Sequence, residues 1–190
     1  MSKADENRWN QRYREERRYS FETPRSFLVQ HVGLLPRRGL ALDAAMGLGG
    51  NAAFLLERGL RVIGVDISRV AVRQAKASWP AMQAVVADLT HFCLPAGRFD
   101  VIMNFYYLQR DLWPQYRTAL RPGGILVMET LTRDFQAIQP DIDPKYLLEE
   151  GELLRAFHDW EVLAYAEGWH VDDRGHSRPV ASLVARKPYH

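Results

Sequence analysis

Residues 40–68, LALDAAMGLGGNAAFLLERGLRVIGVDIS, constrain the fold more than any other stretch of this chain. They open on apolar Leu40, Ala41 and Leu42 and reach a carboxylate at Asp43. Gly47, Gly49 and Gly50 follow in a turn of small residues, where the backbone must pass close to another group or take a positive φ. A helix is expected over 51–58, with Ala52, Ala53, Leu55 and Leu56 available for burial and Gly59 as its C-terminal stop. A second strand over 61–65 runs into another carboxylate, Asp66. Strand, glycine turn, helix and acid-ended strand make a nucleotide-binding βαβ unit. The helix N-terminus and the turn can approach a ligand while the second acid holds ribose hydroxyls.

Two ligands fit such a unit. Gly47, Gly49 and Ala52 satisfy G-x-G-x-x-A, and Asp66 lies 19 residues after Gly47, near the spacing of ~20 expected of a dinucleotide ribose acid. Asp43 argues the other way. A carboxylate at the mouth of the turn is unfavourable beside a pyrophosphate and favourable beside a cation. Residue by residue, the run from Asp43 through Ala45, Gly47 and Gly49 resembles the D-x-[GA]-x-G-x-G motif of class I S-adenosylmethionine-dependent methyltransferases. Their cofactor carries a sulfonium and an ammonium and no phosphate. An NAD(P)-binding Rossmann protein is the competing reading.

The resemblance implies an α/β fold: a Rossmann-like, doubly wound, mostly parallel seven-stranded sheet with an antiparallel last strand. A chain of 190 residues fits one such domain, with 1–38 as an N-terminal helical cap or lid and 39–190 as the catalytic core. The strand signals agree. Apolar runs at 83–87, 99–103 and 125–128 end at Asp88, Asn104 and Glu129, so polar groups close five successive strands, at the ends that form the crevice of an open parallel sheet. Helices are expected over 68–78, capped by Ser68, and over 110–120, where Pro114 is tolerated in the first turn. Arg121-Pro-Gly-Gly reads as a tight turn and 132–144 as a long polar loop. A helix over 151–160 is followed by strands at 160–166 and 180–186.

Near the start, RWNQRYREERRY places Trp9 and Tyr13 four residues apart on one helical face. The segment is a solvated helix pinned by two aromatics or, like the W-x-x-x-Y segment of many class I methyltransferases, a lid over the cofactor cleft. The formal net charge of +2, from 25 basic and 23 acidic residues, gives no footprint for nucleic acid as obligate partner. The one cysteine, Cys93, excludes an internal disulfide framework and a multi-cysteine zinc site, and reads as a buried spare thiol. No metal site is expected. No apolar run reaches the ~20 residues of a membrane span, so the expectation is a cytoplasmic monomer or homodimer acting on a small molecule.

By resemblance, Asp66 accepts both ribose hydroxyls and Ile67 lies against adenine. Asp88 reads the exocyclic amine with Leu89 beside it, and Gly47 and Gly49 let the methionine moiety approach. The backbone carbonyl of Asn104 takes the ammonium, and Asp43 and Ala45 shape the turn. The acceptor is less legible. Asn104-Phe-Tyr-Tyr loosely resembles the N-P-P-Y loop of amino-nitrogen methyltransferases acting on nucleic acid or protein, without either proline. The C-terminal run from Gly151, with Trp160 and the closing Ala181-Ser-Leu-Val-Ala-Arg-Lys, is similar to the tellurite-resistance branch, which methylates metalloid oxyanions and small thiols. In that reading His170, His176 and Arg178, with Arg174 nearby, serve the acceptor. Otherwise they form a solvated basic hairpin. Phe105, Tyr106, Tyr107 and Trp113 would line the acceptor pocket or equally belong to the core, which is the preferred reading for Trp113. A cofactor-binding module without catalysis is the third class of reading.

Overall fold

A computed structural model of the chain describes residues 3–15, 23–171 and 175–189. Its frame is one seven-stranded sheet. The strands are β1 (Leu40–Ala44), β2 (Arg61–Asp66), β3 (Gln83–Val86), β4 (Phe99–Phe105), β5 (Leu120–Leu131), β6 (Glu161–Val171) and β7 (Ser177–Arg186). They lie in the order β3-β2-β1-β4-β5-β7-β6. The first five run parallel, and β7 is antiparallel to both β5 and β6. From β1 the chain goes to β2 on one side and returns as β4 on the other. The crevice of the open sheet therefore falls at the carboxyl ends of β1 and β4.

Alternation along the strands feeds two cores, one on each face. Leu42, Ile102 and Leu126 point to one face. There they meet Leu112 and Tyr116 of helix α5 (Leu112–Ala119), Leu153 of the short helix α6 (Glu152–Ala156), and Phe157 and Trp160. Ala41, Val101 and Val127 point to the other. They pack on Phe27 and Leu28 of α2 (Ser26–His31), Ala52 and Leu55 of α3 (Gly50–Glu57), and Val72 and Ala75 of α4 (Arg69–Ser78). Burying one such leucine or phenylalanine stabilises the fold by roughly 1.5–3 kcal/mol. Helices on both faces of a mostly parallel sheet are the doubly wound arrangement expected. Helix α1 (Lys3–Glu15) lies outside these layers, against α4 and the glycine turn.

Several elements differ from expectation. Arg121-Pro-Gly-Gly is absorbed into a bulged β5, because the Gly123 N–H donates to the Lys187 carbonyl (3.0 Å) and the Gly124 carbonyl accepts from the Lys187 N–H (2.9 Å). Pro122 is accommodated there without a ladder donor. Strands β6 and β7 are longer than their apolar cores, since register continues through Trp169↔Pro179, His170↔Arg178 and Val171↔Ser177. The helix expected over 151–160 stops at Ala156, and the remaining turn seats Phe157 and Trp160 in the core. Cys93 is exposed rather than buried: its neighbour Leu94 takes the core position in the segment between β3 and β4.

Candidate active site

Asp43 and Asp66 form the floor of the crevice. Both are almost wholly buried, and among the described residues neither joins an ion pair. Asp66 Oδ2 accepts the Gly47 N–H and its Oδ1 the Ser68 N–H, each at 2.8 Å. Each oxygen retains a second lone pair for a further donor. Asp43 Oδ2 is buried and has no hydrogen-bond partner. Burial, with the negative charge of Asp66 adding to it, pushes the Asp43 carboxyl up to about 8. Burial also pushes Asp66 up, to about 6, against the backbone bonds from Ser68 and Gly47 that favour its ionised form. Two buried carboxyls without a cation are a costly arrangement unless a positive ligand completes it.

The turn above them requires its glycines. Gly47 has φ +55 and Gly49 φ +81. A Cβ on Gly47 would lie 2.7 Å from the Tyr13 hydroxyl, and one on Gly49 would lie 2.7 Å from Met82 Cε. Ala45, just after β1, and Tyr106, just after β4, also take positive φ, at 59° and 56°. Strained residues at both strand ends mark the crevice as the place where the backbone is held for a purpose other than packing. Arg25 stacks over the Tyr106 ring at 4.6 Å.

Helix α1 closes the other side of the turn. Trp9 and Tyr13 stack at 5.8 Å between ring centres, and Tyr13 packs with Leu48 and Ala71. Asn10 Oδ1 accepts from Ser68 Oγ (2.8 Å) and from the Val70 N–H (3.1 Å). Asn10 carries no signal in the sequence. Its partners lie 58 and 60 residues away, so no local pattern announces it.

At the end of β3, Asp88 accepts from Thr90 through the backbone N–H (2.9 Å) and the hydroxyl (2.7 Å). Partial burial works against its ionisation, but the Thr90 and His91 bonds prevail and hold the carboxyl well below the usual range. Leu89 is wholly buried in the core, and Ile67 is half-buried beside Asp66. Asn104, on β4, donates from Nδ2 to the Tyr116 hydroxyl (2.7 Å) while its Oδ1 has no partner. The Tyr107 hydroxyl is likewise buried and unpartnered. Asp43 Oδ2, Asn104 Oδ1 and the Tyr107 hydroxyl are thus buried polar atoms at the ends of β1 and β4, where a ligand bearing donors would satisfy them.

The acceptor residues expected from the C-terminal run fall on the β6–β7 hairpin. Its tip rises at the carboxyl end of the parallel strands, because β7 runs antiparallel to β5. His170 and Arg178 are register neighbours across the two strands. Arg178 is half-buried, with its guanidinium 5.6 Å from the centre of the Phe135 ring, whereas His170 and His176 are exposed. Arg174 lies outside the described residues. Trp113 packs at the margin of the core, as expected.

Residues 41–124 match the family described as "Methyltransferase domain". Over this stretch the chain is similar to methyltransferases. It is 30% identical over 156 residues to 2-heptyl-1-hydroxyquinolin-4(1H)-one methyltransferase of Mycobacteroides abscessus, covering 76% of this chain and 64% of that protein. Over 98 residues it is 31% identical to a probable S-adenosylmethionine-dependent methyltransferase of Mycobacterium tuberculosis, covering 48% of this chain and 35% of that protein. The chain thus spans less than two thirds of these curated relatives. Haemophilus influenzae TehB shares the fold, with a TM-score of 0.69 at 18% identity over 85% of this chain and 61% of that one.

The crevice residues fit S-adenosylmethionine, the cofactor named for the Mycobacterium tuberculosis relative. The uncompensated acid pair suits the cofactor's cationic groups, the free lone pairs of Asp66 suit ribose hydroxyls, and the positive-φ glycines add no side chains of their own to the turn. Among the described residues no helix is long and apolar enough to cross a membrane, and no cluster of three or more His, Cys, Asp or Glu forms a metal site.

Proposed function

We propose that the protein transfers the methyl group of S-adenosylmethionine to a small-molecule nucleophile, a soft or anionic one such as a thiol or a metalloid oxyanion, by in-line displacement. The observation that carries the reading is the buried, cation-free pair Asp43 and Asp66 beneath the glycine turn. The cofactor supplies an electrophilic methyl on a leaving group that needs no protonation. Asp66 binds ribose, the Asn104 carbonyl and Asp43 compensate positive charge, and Asp88 with the Leu89 backbone meets adenine. What remains for the protein is placement and exclusion of water. Tyr107 and the ring of Tyr106 bound the acceptor side, and helix α1 serves as the lid over the turn.

The Mycobacteroides relative is named for a small hydroxyquinolone acceptor, which supports a small molecule here. The similarity of the C-terminal run from Gly151 to the tellurite-resistance branch supports the thiol or oxyanion class. In this reading Arg178 orients the acceptor, and His170 or His176 removes a proton where the acceptor carries one. Calorimetry should show saturable binding of S-adenosylhomocysteine and none of NAD or NADP; the reverse result would refute the cofactor assignment. Incubation with methyl-labelled cofactor and a pooled metabolite extract then identifies the acceptor. With a thiol, selenite or tellurite acceptor, Arg178→Ala and His170→Ala should each raise KM or lower kcat at least about tenfold at unchanged cofactor affinity, the scale expected of a lost orienting or proton-transfer group. Unchanged kinetics in both would return the hairpin to a solvated surface.

A further inference from the structure

Helices α1 and α4 do not close on each other along their whole length. Beyond the contact of Tyr13 with Ala71 they leave a cleft of about 340 Å³, lined by Asn10, Arg14, Arg69, Val70, Arg73 and Gln74. Three of these six are arginines, one on α1 and two on α4. Arg69 has one carboxylate nearby, Glu6, at 3.7 Å. Arg14 and Arg73 form no ion pair or hydrogen bond among the described residues. Like charges on two facing helices repel, and a protein of net charge +2 has no general excess of cations that would scatter them here by composition. The Val70 side chain and the aliphatic parts of the arginines supply an apolar wall, and Gln74 Oε1 is buried without a partner.

We propose that this cleft is a binding site for a phosphoryl group, and that its occupancy braces α1 over the cofactor turn. Guanidinium groups present planar forks of donors that match phosphate oxygens, and three of them exceed what one carboxylate can engage. An anion between Arg14 and the Arg69–Arg73 pair replaces repulsion between the helices by two attractive bridges. The connection to the crevice is short. Asn10 lines the cleft and accepts from Ser68 Oγ, and the Ser68 N–H donates to Asp66. Tyr13, adjacent to Arg14, covers Gly47. By linkage, an anion that holds α1 in this position tightens any ligand requiring the closed turn, and that ligand tightens the anion by the same factor. The site stands on the arginine geometry alone; its coupling to the cofactor rests on the function proposed above.

Titration of the full chain with inorganic pyrophosphate, followed by calorimetry against sodium chloride of equal ionic strength, tests the site. Saturable binding is expected, weakened about tenfold by Arg14→Gln and by Arg73→Gln, the loss typical of one charge-assisted contact. A non-saturating response, or one dissociation constant shared by all three proteins, overturns it. Glycerol phosphate and inorganic phosphate run in parallel separate the two sources of the group: tighter binding of glycerol phosphate assigns the tail of a metabolite that reaches Val70, and equal binding assigns a free anion. Coupling is read from S-adenosylhomocysteine affinity at saturating pyrophosphate, expected to rise by about threefold or more, within the usual range of allosteric coupling. Unchanged affinity at full pyrophosphate occupancy overturns the brace and leaves the site. Failure of S-adenosylhomocysteine to bind at all would instead fall on the cofactor assignment.

Discussion

Asp66 does two jobs, and they separate by substitution. Its carboxylate satisfies two buried N–H groups, of Gly47 and Ser68, before any ligand arrives. Asp66→Ala therefore lowers stability without cofactor, because each orphaned buried donor costs about 1–3 kcal/mol. The expectation from sequence, a residue that merely edges a crevice, would leave that stability unchanged. Asp66→Asn keeps an acceptor oxygen and removes the charge. It should weaken S-adenosylhomocysteine binding by about 1.5–3 kcal/mol and, because its NH2 must face one of the two buried N–H groups, lower the thermal midpoint without cofactor by less than the alanine variant, which orphans both. Equal losses of stability in both variants, with affinity intact, would make the residue purely structural.

The same pair predicts a pH dependence. Asp43 and Asp66 hold protons in the folded protein at a pH where the unfolded chain has released them. Their contribution to stability is complete below about pH 4, the ordinary carboxyl range, and is lost as pH rises through about 6 and 8. Without cofactor the thermal midpoint should fall from pH 5 to pH 8.5, and Asp43→Asn should flatten that slope. A cationic ligand favours the ionised pair, so S-adenosylmethionine affinity should rise over the same window. A midpoint that climbs with pH, or an affinity that falls, would contradict the assignment.

At the scale of elements, α1 is held over the glycine turn by Tyr13 and by the hydrogen bonds of Asn10. Asn10 supplies the Val70 N–H with its acceptor and fixes Ser68, itself the cap that accepts from the Ala71 N–H at 3.1 Å. Asn10→Ala should cost about 0.5–2 kcal/mol, as other lost helix caps do. Hydrogen exchange should then quicken at Val70 and Ala71 and throughout α1, and S-adenosylhomocysteine should dissociate faster. Exchange confined to α1, with α4 and dissociation unaffected, would mean that the helix is only tethered there. Gly47→Ala attacks the same interface from below, combining a disfavoured positive φ with a Cβ 2.7 Å from the Tyr13 hydroxyl. Its cofactor affinity should fall, and Tyr13→Phe in the same chain should recover only the steric part.

For the whole molecule, the two cores make the sheet insensitive to what binds at its edge, so cofactor should stabilise by mass action alone. At a concentration of about 100 times Kd the gain is about 2.7 kcal/mol. In a chain of this size that raises the thermal midpoint by roughly 5–11 °C, at about 2–4 °C per kcal/mol. Differential scanning at several S-adenosylhomocysteine concentrations checks it, and a midpoint independent of concentration would show that the folded state has no preference for the ligand.

The sequence by itself determined the βαβ unit and the acid-ended strands and narrowed the cofactor to two classes, because those depend on local chemistry. Strand period, glycine at positive φ and a carboxylate before the turn are all written within thirty residues of one another. It also placed β4, α5 and the strand pair at the end. Tertiary structure alone decided the rest. That Asp66 is already bonded to Gly47 depends on β2 lying beside β1, and Asn10 acquires its role only when α1 folds back across sixty residues. The extension of β6 and β7 through polar His170 and Arg178 comes from backbone pairing, which side-chain patterning does not encode. Cys93 faces solvent because Leu94 takes the apolar site next to it. Whether the arginines of α1 and α4 are solvated separately or face one cleft was likewise undecidable from composition, since charge acts through distance and distance across the chain is set by the fold.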